Sequence, residues 1–126
     1  MQQVDIFLTI STKAPSAKKA SYKYILACNG HTLTGTGDLT NTTGHRLVMT
    51  CAIEALKRMK KPAMITIHTD CRYLINGHRN LQIWKEAGWT RATGELKSAD
   101  LWQQLFELQK GHAVRYHYEN MEPYKE

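Results

Sequence analysis

The chain has no apolar run near the ~20 residues that span a bilayer. Its start, Met1-Gln2-Gln3-Val4-Asp5, lacks the basic opening and apolar stretch of a signal peptide. The expectation is a soluble, cytoplasmic protein with no membrane contact. Cysteine is scarce: Cys28, Cys51 and Cys71 form no Cys-x-x-Cys pair and leave one over if two bond, which argues against a disulfide framework. The six histidines stand at no zinc spacing with one another or with a cysteine, so no metal site is expected from them. What remains is ordinary for a globular protein: 126 residues, 42% hydrophobic and 22% charged, enough for one domain over residues 1–126 and far from the composition of disorder.

The net charge of +6 is unevenly placed. Residues 1–61 hold nine Lys/Arg against three acids, whereas residues 62–126 hold eight of each. A second basic stretch, residues 71–97, carries five basic residues and two acids. Clustered positive charge suits a phosphate backbone through counterion release, and it also serves solubility alone.

Val4–Ile10 reads as a buried strand, and Ser16–Lys19 as a basic loop. Tyr22–Cys28 and His31–Thr36 flank Asn29-Gly30, a strong hairpin signal. Thr42 or Thr43 caps a helix from Gly44 to about Met59, with Lys57, Arg58 and Lys60 in its last turn. Met64–Asp70 is a further strand, parallel to an earlier one because a crossover helix precedes it, so Asp70 falls at the end where open α/β sheets place their sites. A short helix from Cys71 is interrupted at Gly77, a second amphipathic turn covers Leu81–Lys85, and Ser98 caps a helix over Ala99–Gln109. Ala113–Tyr118 alternates like an edge strand.

Three separate stretches resemble type 1 ribonuclease H. Ile65–Gly77 is similar to that family's strand-Thr-Asp-Ser-x-Tyr-Val segment, Ile83–Thr90 to its Trp-x-x-x-Gly-Trp stretch, and Asp100–Leu105 to its Asp-Leu-Trp helix. The resemblance implies an α/β ribonuclease H-like fold, a five-stranded mixed sheet with helices on both faces. It also implies hydrolysis of the RNA strand of an RNA/DNA hybrid by carboxylates that hold two Mg²⁺ ions.

The family's acids are mostly replaced. Thr9 stands at the first position, Val48 at the second, and Asp70 alone matches the third; the helix that carries the fourth finds no counterpart before Glu126. A single carboxylate cannot bridge two dications, so loss of hydrolysis is expected, with no catalytic residue assigned and no cofactor. Mg²⁺ enters only if Glu119 or Glu122 joins Asp70 to rebuild a weak hybrid nuclease.

Positions that hold substrate in the family fare better. The resemblance gives Thr43 and Ser98 a role in gripping a DNA phosphate, although both also suit plain helix capping. Gly44 and His45 replace the paired asparagines that read the hybrid's minor groove, and Arg79, Lys85 and Trp89 lie in the segment matching the family's basic protrusion. The leading expectation is a non-cleaving module that binds duplex or RNA/DNA hybrid through Lys18, Lys19, Thr43, Arg79, Lys85, Trp89 and Ser98. A third reading is a protein partner docked in a cleft lined by Thr9, Ile10 and Val48.

Overall fold

The computed structural model describes residues 1–125. Alternation of apolar residues builds the sheet: Val4, Ile6 and Leu8 of β1 (Gln2–Ile10) are buried on one face, while Asp5 and Phe7 project from the other. β2 (Ala17–Cys28) and β3 (His31–Thr42) form an antiparallel hairpin turned at Asn29 and Gly30, whose φ values of 52° and 78° are those of a primed turn. α1 (Gly44–Leu56) crosses over to β4 (Ala63–Thr69), which pairs in parallel with β1. α2 (Arg72–Glu86) and α3 (Ala99–Gln109) follow, and β5 (Ala113–Tyr118) pairs in parallel with β4. The strand order is β3-β2-β1-β4-β5, the mixed five-stranded sheet expected from the sequence. The three α-helices pack on one another over one face, and a 3₁₀ helix at Glu122–Tyr124 lies on the opposite face, where Tyr124 stacks on Phe7.

Three local expectations need correction. Lys18 and Lys19 belong to β2, because the hairpin ladder runs to the Ala17–Thr42 pair instead of stopping at Tyr22. As successive strand residues they point to opposite faces and cannot form one basic patch. α1 ends at Leu56, three residues early: the amides of Arg58 and Met59 bond to the Ala55 and Leu56 carbonyls in tighter turns, leaving Lys57, Arg58 and Lys60 beyond the helix. Gly77 does not interrupt α2. A Cβ there would fall inside the ring of Trp102, which is 1% exposed, so the glycine lets α2 and α3 approach closely.

Among the described residues Cys28, Cys51 and Cys71 are all free, and no helix is long and apolar enough to cross a membrane. The Gly77 contact gives a direct test. Gly77→Ala gains helix propensity but overpacks a ring that has no room to yield, and overpacking costs about 1–3 kcal/mol. Chemical denaturation should show a lower midpoint for Gly77→Ala, with an unchanged or higher midpoint contradicting this packing account.

Candidate functional site

Parallel pairing of β1 with β4 brings the ends of both strands beside the start of α1, and two adjoining hollows lie there. The first, about 330 Å³, is lined by Ile10, Lys13, Gly44, His45, Asp70, Cys71, Arg72, Tyr73 and Tyr118. The second, about 810 Å³, shares Lys13, Gly44, His45 and Tyr73 and adds Thr43, Arg46, Glu95, Lys97 and Ser98. Gly44 shapes both. A Cβ at this position would stand 2.8 Å from the Lys13 backbone, and the Gly44 amide donates to the Ala14 carbonyl at 2.8 Å. The glycine therefore admits the loop that carries Lys13.

Lys13 Nζ reaches Asp70 Oδ2 at 3.1 Å. The lysine is 62% exposed, so the pair is worth at most about 1 kcal/mol and does not by itself exclude a cation. The missing ligands decide the matter. Thr9, 5% exposed, donates its hydroxyl to the Lys23 carbonyl at 3.1 Å, and Val48, 2% exposed, belongs to the hydrophobic core. Among the described residues, no second carboxylate lines the hollow beside Asp70. Glu119, one of the two acids expected to lean toward Asp70, instead meets His68 Nδ1 at 2.8 Å and accepts the Tyr124 hydroxyl; Glu122 pairs with Lys125 at 3.1 Å. Octahedral Mg²⁺ held by carboxylates is not what this residue set fits.

The second hollow is better built. Thr43 caps α1 as expected, its hydroxyl accepting the Arg46 amide at 3.1 Å. Ser98 does not cap α3 with its side chain. Its backbone is left-handed, with φ of 57°, and its hydroxyl accepts from Arg46 Nη1 at 3.1 Å while its carbonyl takes the Leu101 and Trp102 amides. Arg46 also grips Asp100 with both terminal nitrogens, at 3.1 and 2.9 Å. Arg46 thus ties both hydroxyls into one wall, Thr43 through its backbone amide and Ser98 through its guanidinium, and each hydroxyl keeps its proton to donate outward. His45 stacks on Tyr73 with centroids 3.9 Å apart at the shared rim.

The other expected contacts are dispersed. Arg79 and Lys85 are exposed on α2, Lys85 lying 5.7 Å from the Phe106 centroid. Trp89 packs edge-on against Phe106 at 5.7 Å, which engages its ring with the core instead of offering it to a base. Sequence reasoning missed Lys13 and Arg46. Arg46 carried a signal, since it stands at the third helical position after a capping threonine; its partners on α3 are more than fifty residues away.

The RNase H family model matches residues 4–119. The chain belongs to the RNase H family. It is 33% identical over 120 residues to ribonuclease H of Cupriavidus metallidurans, covering 94% of this chain and 82% of that one. Its fold superposes on the crystal structure of LC9-RNase H1 with a TM-score of 0.76 at 21% identity, over 97% of this chain and 64% of that one. LC11-RNase H1, solved in complex with an RNA/DNA hybrid, gives a TM-score of 0.68 at 11% identity over 95% of this chain and 87% of that one.

Asp100 reports on the wall most directly. The hydrogen bond from Arg46 holds its carboxyl below the ordinary carboxylate value, against a smaller upward push from burial. A lowered folded value means that the contribution is present above the unfolded value and is lost as pH falls through the folded one. With the Asp100 side chain 60% exposed, the energy is small, so titration is the better readout. Carbon-detected NMR should find Asp100 titrating below an ordinary aspartate and returning toward it in Arg46→Ala; identical curves in both proteins would remove Arg46 from this role.

Proposed function

We propose that this RNase H-family domain binds the backbone of a nucleic-acid duplex, RNA/DNA hybrid or DNA, without hydrolysing it. The observation that carries the reading is a cleft whose wall suits phosphate while its floor, among the described residues, offers no carboxylate beside Asp70. Lys13, Arg46, Arg72 and Lys97 line the two hollows with the Thr43 and Ser98 hydroxyls, against Asp70 and Glu95. Hydroxyls and the positive end of a helix dipole favour an anion. The hybrid bound by LC11-RNase H1 supports this ligand class. The relatives bear an enzyme's name, so the loss of hydrolysis rests on Thr9, Val48 and the lone Asp70 of this chain.

Two-metal hydrolysis needs carboxylates that bridge the ions, hold the attacking water and stabilise the leaving oxygen. Asp70 alone leaves nearly all ligand positions to solvent. Binding has no such requirement. Lys18, Lys19, Arg79 and Lys85 are exposed and extend the basic surface, although Lys18 and Lys19 face opposite ways, so only one of them serves a given strand. The balance between attraction to phosphates and the acids on the rim sets affinity, and salt should weaken it steeply.

Fluorescence anisotropy with labelled hybrid and DNA duplex tests both halves. Affinity should fall with a log-log salt slope of about −0.9 per neutralised phosphate, and Arg79→Glu with Lys85→Glu should make that slope shallower. Hybrid incubated with protein in Mg²⁺ or Mn²⁺ should remain intact. Cleavage that vanishes in Asp70→Asn would replace this reading with a weak metal-dependent nuclease. Absence of binding at low salt would replace it with a protein-docking domain.

A further inference from the structure

On the sheet face opposite the α-helices, the strand register assembles a group that the hybrid-binding reading does not use. His68 of β4 and His117 of β5 are direct cross-strand partners, so their side chains project from the same face. The Glu119 amide donates to the Thr69 carbonyl at 3.0 Å, which extends the ladder and fixes this residue beside them. Glu119 Oε1 lies 2.8 Å from His68 Nδ1 and 3.9 Å from His117 Nε2, and one ligand atom from each of the three residues falls within 4.8 Å of the others. We infer that His68, His117 and Glu119 form a binding site for a divalent transition ion of the Zn²⁺ class, with a fourth position open to water.

The donor set is the reason for this ion. Two imidazoles and one carboxylate suit Zn²⁺, whereas Mg²⁺ prefers oxygen ligands alone. Bonds of about 2.0–2.2 Å at tetrahedral angles put ligand atoms roughly 3.3 Å apart. His68 and Glu119 must therefore open by about half an ångström, and His117 must close by roughly 0.6 Å on Glu119 and by up to about 1.5 Å on His68. His117 has that freedom, its side chain being 60% exposed on an edge strand.

The surroundings supply what a metal site needs behind its ligands. His68 Nε2 faces Asp5 Oδ1 at 2.8 Å, so with the ion on Nδ1 the far ring N–H donates to a carboxylate, fixing tautomer and ring orientation. Phe7 stacks on the same imidazole at 4.3 Å between centroids. Tyr124 donates its hydroxyl to the second oxygen of Glu119, leaving the first for the ion. Sequence spacing hid the group because His68 and His117 are far apart in the chain and meet only through the β4–β5 register. An ion here would join β4, β5 and the segment after β5, which carries Tyr124.

Calorimetric titration of the chelator-treated full chain with ZnCl₂ should show one site per chain. Asp5→Asn should weaken it by about tenfold or more, and His117→Ala should weaken it further. Circular dichroism verifies that each variant folds. Co²⁺ in place of Zn²⁺ should give visible bands of nitrogen and oxygen ligation without a thiolate charge-transfer band. The inference is overturned if Zn²⁺ does not bind stoichiometrically at micromolar protein, if folded His117→Ala binds as well as the wild type, or if the Co²⁺ spectrum shows thiolate ligation.

Discussion

The parallel pairing of β1 with β4, at the centre of the sheet, is the constraint on which the other features depend. It sets Phe7 opposite His68 and aligns the ends of both strands, so that Asp70 emerges beside the loop leaving β1. On the helical face it buries Ile6, Leu8, Ile65 and Ile67 against α1. On the other face it brings Asp5 to His68. A one-residue slip would send each of these side chains to the wrong side of the sheet. The basic cleft and the histidine group are therefore two products of one register.

Within that frame, a few residues shape the floor of the cleft. Valine at position 48 adds carbon to the core, threonine at position 9 spends its hydroxyl on the neighbouring strand, and glycine at position 44 lets Lys13 close in on Asp70. Each of these residues serves packing or charge balance. By linking Thr43, Ser98 and Asp100, Arg46 keeps the wall of the second hollow ordered.

Much of this was legible in the sequence because the strands alternate cleanly, Asn29-Gly30 marks its own turn, and the matches around Asp70, Trp84–Trp89 and Asp100 fix the order of elements. The failures were local and physical. Gly77 reads as a breaker until Trp102 is seen against it, and Ser98 reads as a cap until its left-handed backbone turns the hydroxyl to Arg46. The Lys18-Lys19 pair reads as loop because its two charges mask a ladder held by backbone bonds. Most of the site was less accessible, since Lys13 with Asp70, Arg46 with Asp100 and His68 with Glu119 are joined by tertiary structure across long stretches of chain.

Among the described residues, Asp70 is the one carboxylate that lines the hollow at the ends of β1 and β4. A Mg²⁺ titration followed on the side-chain carboxyl carbon of Asp70 in the full chain tests whether a metal ion gathers there without reference to any substrate, and Mg²⁺ has little affinity for the imidazoles on the opposite face. The Asp70 resonance should stay in place at Mg²⁺ concentrations that saturate two-metal carboxylate sites. A saturable shift of that resonance at such concentrations would show that the cleft holds a metal ion and that Asp70 does not act alone.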